Sequence, residues 1–201
     1  MTSTADTIAG AGHHPWGSTP YSAAQRRVAV AAIDLFAEHG VDATTLQMIA
    51  DRIGVTKAAV YHQFKTKERI VIAAVEVELG KLEEALGEAE VAVGPEARDA
   101  LLRQVIELSV ARRRIVSTLQ HDPTIIRILA GYAPYQVFMT RLFGVLLHGE
   151  NDAATRLRVA MVASAIGSTV THPLVADLDD GALRAGIFEL SREFLRPQGA
   201  V

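Results

Sequence analysis

Apolar residues recur at helical spacing along most of the chain, and turn-forming residues cut the pattern into segments. Two short segments between positions 44 and 68 are the clearest. Ile49, Ala50 and Ile53 share one face of the first, and Gly54 follows where a helix end needs a residue that tolerates positive φ. Val60 and Phe64 continue the apolar face in the second. Thr44 with Gln47 has the spacing of a capping box, and Thr56 is placed to cap again. An earlier helix begins near residues 20–22 and ends at Gly40, with Val28, Ala32, Leu35 and Phe36 inward. Thr19 with Pro20 and a Ser22–Gln25 capping box are its two possible starts.

Further on, the pattern predicts a helix over 66–86 capped by Thr66, with Gly87 opening a weaker stretch. Helices follow over 97–113, with Pro95 suited to a first helical position, over 122–129, and over 134–147 after Gly131. A turn is predicted at 149–151. Two last helices are expected over 153–171, stopped by Pro173, and over 180–196, stopped by Pro197. The expected fold is all-α, with about nine helices. The residues 1–19 read as a disordered arm, within which Trp16 either stays loose or is laid on DNA or the folded body.

The polar positions of the two short helices point to chemistry. Lys57, Tyr61, His62, Lys65 and Lys67 remain outward once the apolar residues are turned in. Arg52, Lys57, Lys65, Lys67 and Arg69 against Asp51 and Glu68 give the segment a charge of plus three. This is the pattern of a helix-turn-helix, whose second helix enters the major groove while basic side chains meet phosphate.

The same residues resemble the amino-terminal domain of TetR-family transcriptional regulators. The resemblance runs from about Arg26 to Ile70. It includes LFAEHG ending at Gly40, the pair Thr44 and Thr45, the pair Ile49 and Ala50, GVTKAAVYHQF from Gly54 to Phe64, and TKE from Thr66 to Glu68. Ala58 and Ala59 stand where relatives often carry Gly or a small polar residue. The resemblance implies a three-helix DNA-binding domain over 20–70 and a helical effector-binding and dimerisation domain over 71–201. It implies DNA contacts through Thr44, Thr45, Thr56, Lys57, Ala58, Tyr61, His62, Lys65 and Lys67, with double-stranded operator DNA as partner.

Composition narrows the alternatives. Nearly half of the 201 residues are apolar (49%) and few are aromatic (5%), which favours a sizeable helical core. Net charge is −3, while residues 1–70 hold seven basic and six acidic side chains, so the basic surface is local. There is no cysteine, which excludes disulfides. The longest uncharged apolar run near the carboxyl end, 159–171, falls short of the roughly 20 residues of a membrane span, and the first residues carry no signal-peptide pattern. A cytoplasmic protein with no membrane partner is expected. No nucleophile elbow, phosphate loop or metal-ligand spacing appears, so no enzyme activity, cofactor or metal is expected.

Individuality is expected after residue 95. Tyr132, Tyr135, Phe138, Met139 and Phe143 offer an aromatic and Met lining for an effector of unknown identity, and Arg103, Gln104 and Glu107 would orient it if they face inward. Plain core packing and solvent exposure are the competing readings. The run 112–114 of three arginines reads first as a solvated turn and second as an anion site. In the family the last two helices pair with their copies, which places Ala160, Ala163, Ser164, Gly167, Thr171, Ile187, Leu190 and Phe194 at a homodimer interface. A ligand-responsive repressor of a palindromic operator is the leading reading. An activator, or a helical small-molecule-binding protein without an operator, are the alternatives.

Overall fold

A computed structural model of the chain describes residues 21–92, 94–148 and 152–196. The expected arm with Trp16, the turn at 149–151 and the stop at Pro197 lie outside the described residues. Among the described residues every regular element is helical. In chain order these are α1 (Ala23–His39), α2 (Leu46–Ile53), α3 (Lys57–Gln63), α4 (Lys67–Ala92), α5 (Pro95–Ala111), α6 (Arg113–His121), α7 (Pro123–Ala130), α8 (Ala133–Leu147), α9 (Ala153–Thr169) and α10 (Asp180–Phe194), with a 3-10 turn at Pro173–Val175. Among the described residues ten α-helices replace the expected nine, because α6 begins within the arginine run and fills the stretch to His121.

Local chemistry explains most helix starts. Ser22 Oγ accepts from Gln25 N at 3.2 Å while Gln25 Oε1 accepts from Ser22 N at 3.0 Å, so the capping box begins α1. Gly40, at φ +80°, closes α1 by donating its N–H to Phe36 O at 2.8 Å. Helix α4 passes the expected end near Leu86 and runs 26 residues, about 39 Å at 1.5 Å per residue. A helical Gly87 costs about 1 kcal/mol relative to Ala. Burial of Leu82, Leu86 and Ala89 on the inner face outweighs that cost.

Helix α4 packs against α1 on one side and α5 on the other. One core gathers buried side chains from α1 through α8, including Ile33, Phe36, Ile49, Val60, Ile70, Leu101, Ile125 and Phe138. A second core joins α5, α8, α9 and α10 through Leu102, Ile106, Leu146, Val162, Ile166, Leu183 and Phe188. The position 70/71 falls inside α4, with the first core on both sides of it.

One carboxylate crosses this core. Glu76 of α4 is buried. Its Oε2 accepts the hydroxyl of Tyr21, just before α1, and its Oε1 accepts the hydroxyl of Tyr132, at the start of α8, at 2.7 Å. The Tyr21 ring also leans on Phe64 at 6.3 Å. Two hydroxyl donors meet the need of a buried carboxylate without a paired base. Burial first, and the Glu76 hydrogen bonds second, push both phenols well above the ordinary range.

This network has a pH consequence. Phenols of the unfolded chain ionise near pH ~10, while Tyr21 and Tyr132 hold their protons in the fold. Because their folded values lie above the unfolded ones, their contribution is whole below that pH and is lost as pH rises through and beyond it. The melting temperature is expected to fall more steeply between pH 8 and pH 11 in the parent than in a Y21F/Y132F variant. Equal slopes in the two would count against the network.

Candidate nucleic-acid interface

The paired helices are built by their ends. Thr45, not Thr44, caps α2, accepting from Met48 N at 3.1 Å. Thr44 is buried and its hydroxyl donates within the α1–α2 turn, to Gly40 O at 2.8 Å and more weakly to Leu35 O. Thr44 is thereby removed from the expected DNA contacts, and Gln47 bonds to Asp51 at 2.7 Å instead of closing a capping box. Gly54 adopts the left-handed conformation at φ +69° and ends α2, with Val55 N returning to Ala50 O at 3.0 Å. Thr56 caps α3, accepting from Ala59 N at 3.1 Å.

Ile49, Ala50, Val60 and Phe64 are buried, which turns the remaining positions of α3 outward. Lys57, Ala58, Ala59, Tyr61 and His62 are exposed, as are Thr45 and Thr56. Lys65 Nζ lies 4.7 Å from the centre of the Tyr61 ring, a cation–π contact that holds both at the rim. Lys67 Nζ donates to Asp42 O at 3.0 Å, so the α1–α2 turn orients it. Of the expected set, Thr44 is buried, Lys67 is half-buried and the others are exposed.

The rest of the chain holds this unit in place. Arg27 caps the end of α2 by donating to Ile53 O at 3.0 Å. Arg52 bridges to Glu38 of α1 at 2.7 Å, a hydrogen bond that lowers the Glu38 pKa and raises that of Arg52. The arginine run is only in part a solvated turn, since Arg114 is exposed while Arg112 and Arg113 are half-buried and paired. Arg112 sits between α5 and α6 and donates to Glu78 of α4 at 2.8 and 3.0 Å and to Asp34 of α1 at 3.4 Å. The hydrogen bond to Glu78 raises its pKa first. Arg113 pairs with Asp180 at the start of α10.

Asp122 closes the other end of α6. Its Oδ1 accepts from Thr124 N and Ile125 N at 2.9 and 3.1 Å and so caps α7. Its Oδ2 accepts from Val41 N at 2.9 Å, inside the turn that leads to α2. The sequence pattern places a helix start at 122, but the second bond joins residues 81 apart and lies beyond any local window. Glu76 was missed, although it stands among inward positions of an apolar run, the signal that would have flagged it.

The expected effector set divides. Tyr132, Tyr135 and Met139 pack against the first core, Phe143 packs against the second, and Phe138 is core itself. Arg103, Gln104 and Glu107 are exposed on α5, and Arg103 and Glu107 line a cleft of about 240 Å³ with Ile106, Arg184, Ala185 and Phe188. Arg103 stacks on Phe188 of α10 at 4.3 Å and Glu107 pairs with Arg184 at 2.6 Å. An apolar cleft of about 530 Å³ lies elsewhere, between α4, α5 and α8, lined by Ala89, Ala97, Gly144 and Val145 with Glu90, Arg141 and His148.

The expected dimer set divides too. Ala160, Ser164 and Thr171 are exposed, Ala163 is half-buried, and Leu190 and Phe194 are 70% and 44% exposed. Leu157 and Met161 extend this apolar surface on α9, at 64% and 58%. Gly167 and Ile187 are instead buried within the chain. A Cβ on Gly167 would overlap the Gln120 side chain of α6, so the missing side chain serves an internal helix contact.

Residues 29–74 match the family described as bacterial regulatory proteins, tetR family. The HTH-type transcriptional repressor KstR2 of Mycolicibacterium smegmatis is 42% identical over 55 residues, covering 26% of this chain and 27% of that protein. The curated relatives are matched over only 19% and 27% of their own length. Among solved structures, the probable transcriptional regulatory protein RHA5900 superposes with a TM-score of 0.63 at 21% identity, covering 86% of this chain and 99% of that one. The FadR regulator of Bacillus subtilis in complex with stearoyl-CoA gives 0.57 at 22% identity, covering 85% and 99%. These similarities agree with the all-helical fold and its helix-turn-helix.

Loss of the Asp122 carboxylate tests how the unit is held. Asp122→Ala removes an N-cap and leaves the N–H of buried Val41 without its acceptor, which together cost about 2–4 kcal/mol. Asp122→Asn keeps one of the two acceptor oxygens and sets its amide N–H2 against the other donor, so it is expected to fall between the parent and Asp122→Ala. Urea midpoints of the two variants check this, and a parent-like midpoint for Asp122→Ala would sink it.

Proposed function

We propose, for a chain whose amino-terminal helices belong to the tetR family of bacterial regulatory proteins, that it is a homodimeric transcriptional repressor released from a palindromic operator by a small molecule. Residues 20–70 are its DNA-binding unit and 71–201 its effector and dimerisation part. The observation that carries the reading is the capped α2–turn–α3 unit, with Val60 and Phe64 buried and Lys57, Tyr61, His62 and Lys65 outward around a basic rim. Such a face suits the major groove, with bases met by α3 and phosphates by the rim. Thr45, Thr56, Lys57, Ala58, Tyr61, His62, Lys65 and Lys67 form the contact surface.

The exposed apolar residues of α9 and α10 support pairing with a second copy, since scattered surface apolar side chains rarely align on adjacent helices. Two α3 helices would then meet half-sites about one helical turn apart. The cleft between α4, α5 and α8 supports an effector site for an apolar or amphipathic molecule, being within the size range of small-molecule pockets. Its occupant would act through α4, which lines the cleft and packs against α1. Coupling requires that the effector bind the released state more tightly, typically by 1–3 kcal/mol in systems of this kind.

A gel shift against DNA upstream of the protein's own gene, with a scrambled competitor, tests the reading. Selective retention supports it, and equal competition by the scrambled duplex refutes it. Lys67 spends one of three ammonium donors on Asp42 O and keeps two for phosphate. Lys67→Ala is expected to weaken binding to all sequences alike and to shallow the salt slope by about one, read by fluorescence anisotropy. Leu190→Asp is expected to leave the fold intact and shift sedimentation from dimer to monomer at micromolar concentration. A dimeric variant would place the interface elsewhere.

A further inference from the structure

We infer that Ala58 is a specificity residue that reads the 5-methyl group of a thymine in each operator half-site. This rests on the reading of the α2–α3 unit as a DNA-binding face. Successive residues of an α-helix are rotated by about 100°. In α3, Val60 is fully buried and fixes the inward direction. Ala58 and His62 then lie about 160° to either side of it, closer to the outward pole than any other residue of the helix. Both are exposed. Tyr61 is swung toward the rim by Lys65, 4.7 Å from its ring centre. Lys57, only about 60° from Val60 in projection, reaches outward along its flexible stem rather than from the pole.

The centre of the reading face is therefore one methyl and one imidazole, about 6 Å apart along the helix axis. A methyl has no donor or acceptor, so among the major-groove edges it complements only the thymine C5-methyl. It is also short, so it lets the helix backbone come close, where any longer side chain would hold it off. Ala59, exposed and one position along, lies about 100° from Val60 and flanks this pole without occupying it.

The test uses the full-length protein. A randomised duplex pool is enriched on it, and each thymine of the selected half-site is replaced in turn by deoxyuridine, which removes the methyl and leaves the pairing edge intact. One thymine per half-site is expected to lose about fourfold in affinity on replacement, the worth of one buried methyl. In A58S, which keeps the helix and puts a hydroxyl at the pole, that loss is expected to fall to near one. Enrichment of a duplex in which no uridine matters would overturn the inference and leave the DNA-binding reading standing. The same uridine penalty in A58S would assign the methyl to another residue. Failure to enrich any duplex would overturn both.

Discussion

The carboxylate of Asp122 accepts three backbone N–H groups, and the placement of the helix-turn-helix depends on it. Two of the donors begin α7. The third is Val41, buried in the turn between α1 and α2. One residue thus ends α6 through its backbone N–H, while its side chain starts α7 and holds the approach to α2. Backbone groups so placed have no alternative partner in water, which makes the bond costly to break.

Helix α6 lies between two partners that differ in kind. On one side it touches α1, and on the other its Gln120 occupies the space left by Gly167 of α9. Arg112 anchors its beginning to Glu78 and Asp34. That ion pair is over one-third exposed at the guanidinium, so solvent screening leaves it little net strength. The stiffer constraints are the Asp122 bonds and the burial of Ile115 and Ile125. A displacement of α9 or α6 reaches α1 through packed atoms rather than through a long-range field, because packed contacts have few intermediate arrangements.

The helices after residue 95 separate residues that look alike in sequence. Phe138 fills core, Tyr132 satisfies Glu76, and Phe143 belongs to the second cluster. The open space instead adjoins small side chains, Ala89, Ala97 and Gly144, with Arg141 held at its edge by Glu83 and Glu90 at 2.5 and 2.7 Å. A cleft is made where side chains are missing, and an aromatic stripe is where they are present.

Much of the architecture was legible in the residues themselves. The Ser22–Gln25 box, Gly54, Thr56, the inward Val60 and Phe64 and the basic outward face all follow from short-range capping and from the 3.6-residue period. These interactions reach only three or four residues, so a single sequence window contains them whole. Helix α6 was legible too, with Ile115, Val116 and Leu119 at helical spacing, although the arginine run at its start reads locally as a turn. The exchange of Thr44 for Thr45 as cap was decided by the burial of the α1–α2 turn. The inward use of Gly167 and Ile187, the exposure of Arg103 and Glu107, and the paired hydroxyls on Glu76 were decided in the same way. Each depends on atoms far away in sequence, and only the assembled tertiary structure brings those atoms within bonding distance.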